Sequence, residues 1–219
     1  MNIYKESILK NNLKIITSEN PHSDVILISI WIKAGGRYGN EYQQGYAHFL
    51  EHMMLKGSRK YPSILEFSKT KDRIGAKSDG LTSIDRVCFY IQVTKNHLEQ
   101  MFELLADMIL NPIMDPIVLE NEKQVILQEL YRSNDDNIQH IWRFSVENAF
   151  SGHPLSRNNL GTELSISSVS VDAIKDYYRT YFATDRSAII VSGGVEHDKV
   201  LKLINKFFNN WNIKSKTTQ

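Results

Sequence analysis

The chain has 219 residues, with 26 lysines and arginines against 25 aspartates and glutamates and a formal net charge of +1. That balance, with no basic stripe and no aromatic-basic cluster, argues against nucleic acid as a partner. A chain this long with 42% hydrophobic residues can bury a sizeable core in one or two domains, and no stretch is long and apolar enough to span a membrane. Cys88 is the only cysteine. A disulfide framework, a redox pair and a thiolate zinc site are therefore all excluded, and inside a predicted strand Cys88 belongs to the core. The amino terminus shows neither an apolar signal core nor an arginine-rich amphipathic pattern, so a cytoplasmic protein is expected.

In chain order, residues 3–9 and 13–17 flank Lys10-Asn11-Asn12 and read as a hairpin whose asparagines can take positive φ. Residues 25–34 follow as a strand with Ile26, Ile28, Ile30 and Ile32 on one face, broken by Gly35-Gly36. Residues 44–57 then read as a helix. Tyr46, Phe49, Leu50, Met53 and Met54 recur at spacings of three and four, and Gly57 stands where a cap wants a residue tolerant of positive φ. At 100° per residue, His52 lies about 40° from His48 and Glu51 about 60° to the other side, so all three project within one arc. Two imidazoles one turn apart can hold a single zinc ion, and a glutamate on that arc can act on water at the metal. The order His-x-x-Glu-His inverts the commoner His-Glu-x-x-His arrangement. On this stretch alone, a helix with two solvated histidines is the other reading.

A short helix over 64–74 ending at Gly75, a strand over 77–81 and a strand over 87–94 come next. Asn96 with Glu99 reads as the cap of a helix striped by Leu98, Met101, Phe102, Leu105 and Ile109 and stopped by Asn111-Pro112. Asp115-Pro116 starts a second long helix running to 132. Its apolar stripe holds Leu119, Val125, Ile126 and Leu130, yet Glu122 and Glu129, about 20° apart in projection, share that face. Buried carboxylates need a proton, a partner or a metal. One alone would read as a salt bridge at the stripe's edge; two together, beside a two-histidine helix short of a third ligand, favour the metal.

Residues 138–150 are expected to form a helix with Ile141 and Trp142 facing inward, and 151–161 a loop. Ser170 caps a helix to 181, residues 187–195 form a strand interrupted by Gly193-Gly194, and residues 197–211 form a closing helix. The expected fold is α+β, a mostly antiparallel sheet with helices packed on one face, in a single domain over 1–213 with a frayed tail or linker start over 214–219.

With these residues in place the chain resembles the pitrilysin family of zinc peptidases, which includes insulin-degrading enzyme and the mitochondrial processing peptidase. The likeness is to the amino-terminal catalytic half. It rests on Ala34-Gly35-Gly36-Arg37, on Gly45-x-Ala47-His48-Phe49-Leu50-Glu51-His52-Met53, on the spacing of Glu122 and Glu129, and on Gly161-Thr162, Tyr177 to Phe182, and Gly193-Gly194. The interval from His52 to Glu129, 129 − 52 = 77 residues, is close to the family's own.

The resemblance implies His48, His52 and Glu129 as zinc ligands, Glu51 as general base and Glu122 as the carboxylate that steadies a ligand. His153 and the other four histidines match no ligand position and read as surface or loop residues. The resemblance also implies that Lys77, Ser78, Asp79, Gly80 and Leu81 form a sheet edge on which an unfolded peptide lies as an extra strand. Asp79 stands where the family usually has asparagine, which removes an amide donor. Gln139 and Arg143 stand where the mitochondrial enzyme receives substrate arginine on acidic residues, which argues against arginine-directed cleavage. The function implied is a zinc-dependent endopeptidase, or its catalytic half, working with a homologous second half, a second subunit or a second copy of itself. The alternative is a non-catalytic scaffold or substrate-holding subunit, a role usually marked by loss of part of the metal set. A structural zinc domain would want four protein ligands.

Overall fold

The computed structural model describes residues 4–215. Six strands make one sheet: β1 (Lys5–Ile8), β2 (Lys14–Glu19), β3 (Val25–Ile32), β4 (Lys77–Thr82), β5 (Val87–Thr94) and β6 (Ser187–Gly193), in the spatial order β1-β2-β6-β3-β5-β4. Only β2 and β6 run parallel; the other neighbours are antiparallel. The last strand in sequence is thus wedged between the second and third. Ile28 of β3 sits opposite Ile91 of β5 on one side and Val191 of β6 on the other.

Strand alternation sorts the two faces of the sheet. Ile26, Ile28, Ile30 and Ile32 are at most 1% exposed, whereas Val25 and Leu27 on the opposite face are each 40% exposed. Burying each of those isoleucines contributes about 1.5–3 kcal/mol. The helices are α1 (Tyr46–Leu55), α2 (Ile64–Asp72), α3 (Leu98–Leu110), α4 (Pro116–Asp135), α5 (Asn137–Ala149), α6 (Glu163–Ser168), α7 (Val171–Tyr181) and α8 (His197–Phe207). No described helix is long and apolar enough to cross a membrane.

Two local devices position the helices that matter below. Gly45, before α1, has φ 83° and packs on Gly161, which has φ 89°. A Cβ on Gly45 would fall 2.8 Å from the Gly161 Cα, so the start of α1 is held against the loop before α6 by two residues without side chains. At α4, Asp115 Oδ1 accepts from the N–H groups of Ile117 and Val118 at 2.7 and 3.3 Å, with Pro116 in the first turn. Leu119, Ile126 and Leu130 then anchor α4 in the core, each at most 5% exposed.

The hairpin forms as expected, with Asn12 at φ 66°; residue 3 of its first arm lies outside the described residues. Several expectations need correction. Gly57 is not a positive-φ cap, because α1 closes one residue earlier through the Lys56 N–H on Met53 O. Asn96 caps nothing: it lies inside a 3-10 turn (Lys95–His97) that leads straight into α3. Ile141 and Trp142 do not face inward; they are 58% and 71% exposed, and α5 has no buried residue. The segment after the loop holds an unforeseen helix, α6, capped by Thr162, whose hydroxyl accepts from the Ser165 N–H. The last helix ends at Phe207 rather than 211, although Trp211 still packs in the core and donates its Nε1–H to Phe182 O at 3.0 Å. His197 is a core residue, not a surface one, with Nε2 at 2.8 Å from Ser7 Oγ and Nδ1 at 2.9 Å from Thr17 Oγ1.

Candidate metal centre

Helix α1 lies against α4 and against β4. His48, Glu51 and His52 project from α1, and Glu122 and Glu129 from α4. Glu129 Oε2 is 3.7 Å from His48 Nε2 and 3.6 Å from His52 Nε2. The three donor atoms all lie within 4.8 Å of one another. Those separations exceed hydrogen bonds. Donors around a tetrahedral zinc, at about 2.0–2.2 Å from it, stand about 3.3–3.6 Å apart, so the set has the spacing a shared cation requires.

Proton bookkeeping points the same way. His52 Nδ1 lies 2.9 Å from Glu122 Oε2. A carboxylate can only accept, so Nδ1 carries the proton, and in the neutral imidazole this makes Nε2, on the side of Glu129, the acceptor. His48 is held neutral, its pKa pushed down to about 3 by burial and secondarily by the neighbouring His52. Its Nδ1 is buried without a hydrogen-bond partner among the described residues, which costs about 1–3 kcal/mol. His48 Nε2, His52 Nε2 and Glu129 Oε2 thus converge at separations too long for hydrogen bonds, an arrangement that a shared cation fits.

Glu51 sits beside this cluster, 7% exposed. Burial pushes its pKa up, and a hydrogen bond from Thr82 opposes the shift. Thr82 Oγ1 donates to Glu51 Oε2 at 2.7 Å. The other oxygen lies over Gly80, where a Cβ would come within 2.6 Å of it. Glycine at that place lets strand β4 approach the carboxylate. Glu122, 5% exposed, has a second partner in Lys56, whose Nζ is 2.7 Å from Oε1.

The five edge-strand residues fall on β4, the last strand of the sheet. Asp79 Oδ1 accepts from the next N–H, Gly80 N, at 2.8 Å, Ser78 Oγ accepts from Lys71 Nζ at 2.6 Å, and Leu81 is 51% exposed. Sequence reasoning missed Thr82 as the partner of Glu51 and Lys56 as the partner of Glu122. Lys56 did carry a signal, since it stands one turn beyond His52 on the same helix. Cys88 is in the core, with burial pushing its thiol up to about 12. Gln139 and Arg143 lie on α5, and the Arg143 guanidinium is taken up by Ser133 Oγ at 3.2 Å and Asn134 Oδ1 at 2.6 Å.

A sheet-and-helix domain in which neighbouring helices bring two imidazoles and a carboxylate together beside a buried glutamate has the make-up of a metallopeptidase domain. Comparison with known families names the kind. Residues 14–163 match the profile described as insulinase (peptidase family M16), and residues 168–219 match the one described as peptidase M16 inactive domain. The chain belongs to the insulinase family, peptidase family M16, a zinc-protease family of pitrilysin type.

Among its relatives is the uncharacterized zinc protease YmxG of Bacillus subtilis, 31% identical over 218 residues, covering 98% of this chain and 52% of the relative. Another is the mitochondrial-processing peptidase subunit beta of Lentinula edodes, 30% identical over 204 residues, covering 93% of this chain and 43% of the relative. A protease from Helicobacter pylori of known crystal structure has the same fold, with a TM-score of 0.90 at 24% identity over 99% of this chain and 52% of that one. The chain spans about half the length of the curated relatives it matches.

Proposed function

We propose that this chain is the catalytic half of a zinc-dependent endopeptidase that hydrolyses peptides or unfolded segments. The observation that carries the reading is the convergence of His48 Nε2, His52 Nε2 and Glu129 Oε2 beside the buried Glu51. His48, His52 and Glu129 would hold the zinc. A zinc ion held there would supply Lewis-acid chemistry, polarising a peptide carbonyl and making an attacking water more acidic.

The chain's own residues supply the rest. Glu51 takes the proton of the attacking water and delivers it to the departing amine, as a general base and then acid. Thr82 fixes the orientation of that carboxylate, and Glu122 holds His52 in the tautomer that leaves Nε2 free. The outer edge of β4, residues Lys77 to Thr82, is free of a strand partner among the described residues and offers its main chain to an extended peptide. An unfolded substrate can pair there and a folded one cannot.

In this reading the described residues up to 213 belong to one domain, and the frayed tail or linker start expected over 214–219 falls mostly outside the described residues. The twofold length of the relatives supports a homologous second half or subunit that closes over the site, with a homodimer as the other way to supply it. The lone buried cysteine suits a reducing compartment, and we place the chain in the cytoplasm.

The test is Glu51→Gln. It is expected to keep zinc and fold while lowering cleavage of an unstructured peptide by about 10²- to 10⁴-fold. Cleavage at the parental rate would remove Glu51 from the chemistry. A parent that binds no zinc would favour the scaffold alternative.

A further inference from the structure

The buried carboxylate of Glu122 is gripped at both oxygens, and the two grips come from one helix. His52 Nδ1 reaches Oε2 at 2.9 Å and Lys56 Nζ reaches Oε1 at 2.7 Å. His52 and Lys56 are one turn apart on α1, Lys56 being its C-cap residue, while Glu122 comes from α4. The Glu122 side chain is only 6% exposed, and that of Lys56 27%. Water therefore has little access to the carboxylate, and the ammonium is the group that fixes its second oxygen.

We propose that Lys56 is a positioning residue for the metal centre. By holding Oε1 it sets the plane of the Glu122 carboxylate so that Oε2 accepts the His52 Nδ1–H, and this keeps the His52 Nε2 lone pair on the metal position. The inference rests on the zinc-site reading above and extends it by one residue. A carboxylate held at one oxygen only can swing about its χ3, and a swing that breaks the bond to His52 frees the imidazole to adopt the other tautomer, with its proton where the metal should be. Charge matters as well as geometry. The ammonium offsets the Glu122 charge within the pair, and a charged donor makes a shorter, stronger bond than a neutral one. A purely structural tie between α1 and α4 is the competing account, but α4 is already docked by Leu119, Ile126 and Leu130. Losing Lys56 should therefore leave the fold in place.

The experiment compares the parent with Lys56→Met, Lys56→Arg, Glu122→Gln and the Lys56→Met/Glu122→Gln double variant, each checked for folding by circular dichroism. Zinc affinity is read by competition with a chromogenic chelator, and the His52 tautomer by ¹⁵N NMR of the metal-free protein. Lys56→Met should weaken zinc binding by about 10- to 100-fold, the usual cost of losing a group behind a metal ligand, and should reduce the Nδ1–H form of His52. Lys56→Arg should recover most of both. The double variant should bind no more weakly than Glu122→Gln alone, because Lys56 acts through that carboxylate. Parental affinity and tautomer in Lys56→Met would overturn the proposal, as would equal losses in the methionine and arginine variants or fully additive losses in the double variant. A parent that binds no zinc would sink the site reading instead, and the tautomer measurement, which needs no metal, would still decide the role of Lys56.

Discussion

Replacing Thr82 by valine would remove one hydrogen bond and almost nothing else. The hydroxyl donates to Glu51 Oε2 at 2.7 Å, while the main chain of Thr82 pairs with Val87 in the sheet. Valine has the same branched shape and suits a strand as well as threonine does. A hydrogen bond to a charged group contributes about 1.5–3 kcal/mol. If that is lost when Glu51 must be aimed at the attacking water, turnover should fall by about 10- to 150-fold at 1.36 kcal/mol per decade. The assay is cleavage of an unstructured, internally quenched peptide by the chain supplied with its second half, with zinc measured on the same sample. Zinc content should match the parent, the loss should fall on kcat rather than KM, and Thr82→Ser should keep most of the activity. Turnover within twofold of the parent at equal zinc would show that Glu51 needs no partner from β4, and a loss confined to KM would assign Thr82 to substrate binding instead.

Zinc should be lost from each of His48→Ala, His52→Ala and Glu129→Ala, and elemental analysis of the purified variants checks it; full zinc in Glu129→Ala would exclude that residue as a ligand. Adding the homologous second half, in trans or by fusion, should raise turnover at least about tenfold with zinc unchanged, since one missing oxyanion donor alone costs about 10²- to 10³-fold. Equal activity of the monomeric chain without it would refute the two-half arrangement. In chemical denaturation, Trp211→Ala should cost about 3–5 kcal/mol, because Trp211 is 1% exposed, whereas Trp142→Ala, at 71% exposure, should stay within about 0.5 kcal/mol. A large cost at Trp142 would mean that α5 is covered in the isolated chain.

Period and spacing carried most of the architecture. Alternation marked β3 and β5 because each buries one face, and the four-residue interval of His48 and His52 and the seven-residue interval of Glu122 and Glu129 put each pair on one side of its helix. That the two helices meet is a tertiary fact, suggested by the cost of burying two carboxylates without a counterion and by the family resemblance. Periodicity also shows that a helix has an apolar face without showing what covers it. That is why Ile141 and Trp142 were expected inside and are found exposed. Helix α6, at six residues, is too short to display a period. The partners of Glu51 and Glu122 were hidden for another reason. Thr82 lies 31 residues from Glu51, and Lys56 lies 122 − 56 = 66 residues from Glu122. No local rule reaches that far, and the one-turn interval from His52 to Lys56 shows that they share a face of α1 without showing which carboxylate lies opposite.

The position of β6 sets a timetable for making the protein. Strand β3 is flanked by β5 and by β6, so its isoleucine-rich edge waits unpaired on one side until residue 193 has left the ribosome, 193 − 32 = 161 residues after β3 is finished. At about 5–20 residues per second, that wait lasts about 8–32 s. Both ligand-bearing helices are synthesised within it, before the sheet beneath them can close. A nascent chain in that interval exposes an unpaired edge rich in β-branched residues, the kind of surface that recruits other strands. Its demand for chaperone protection therefore depends on how soon the seven residues of β6 arrive.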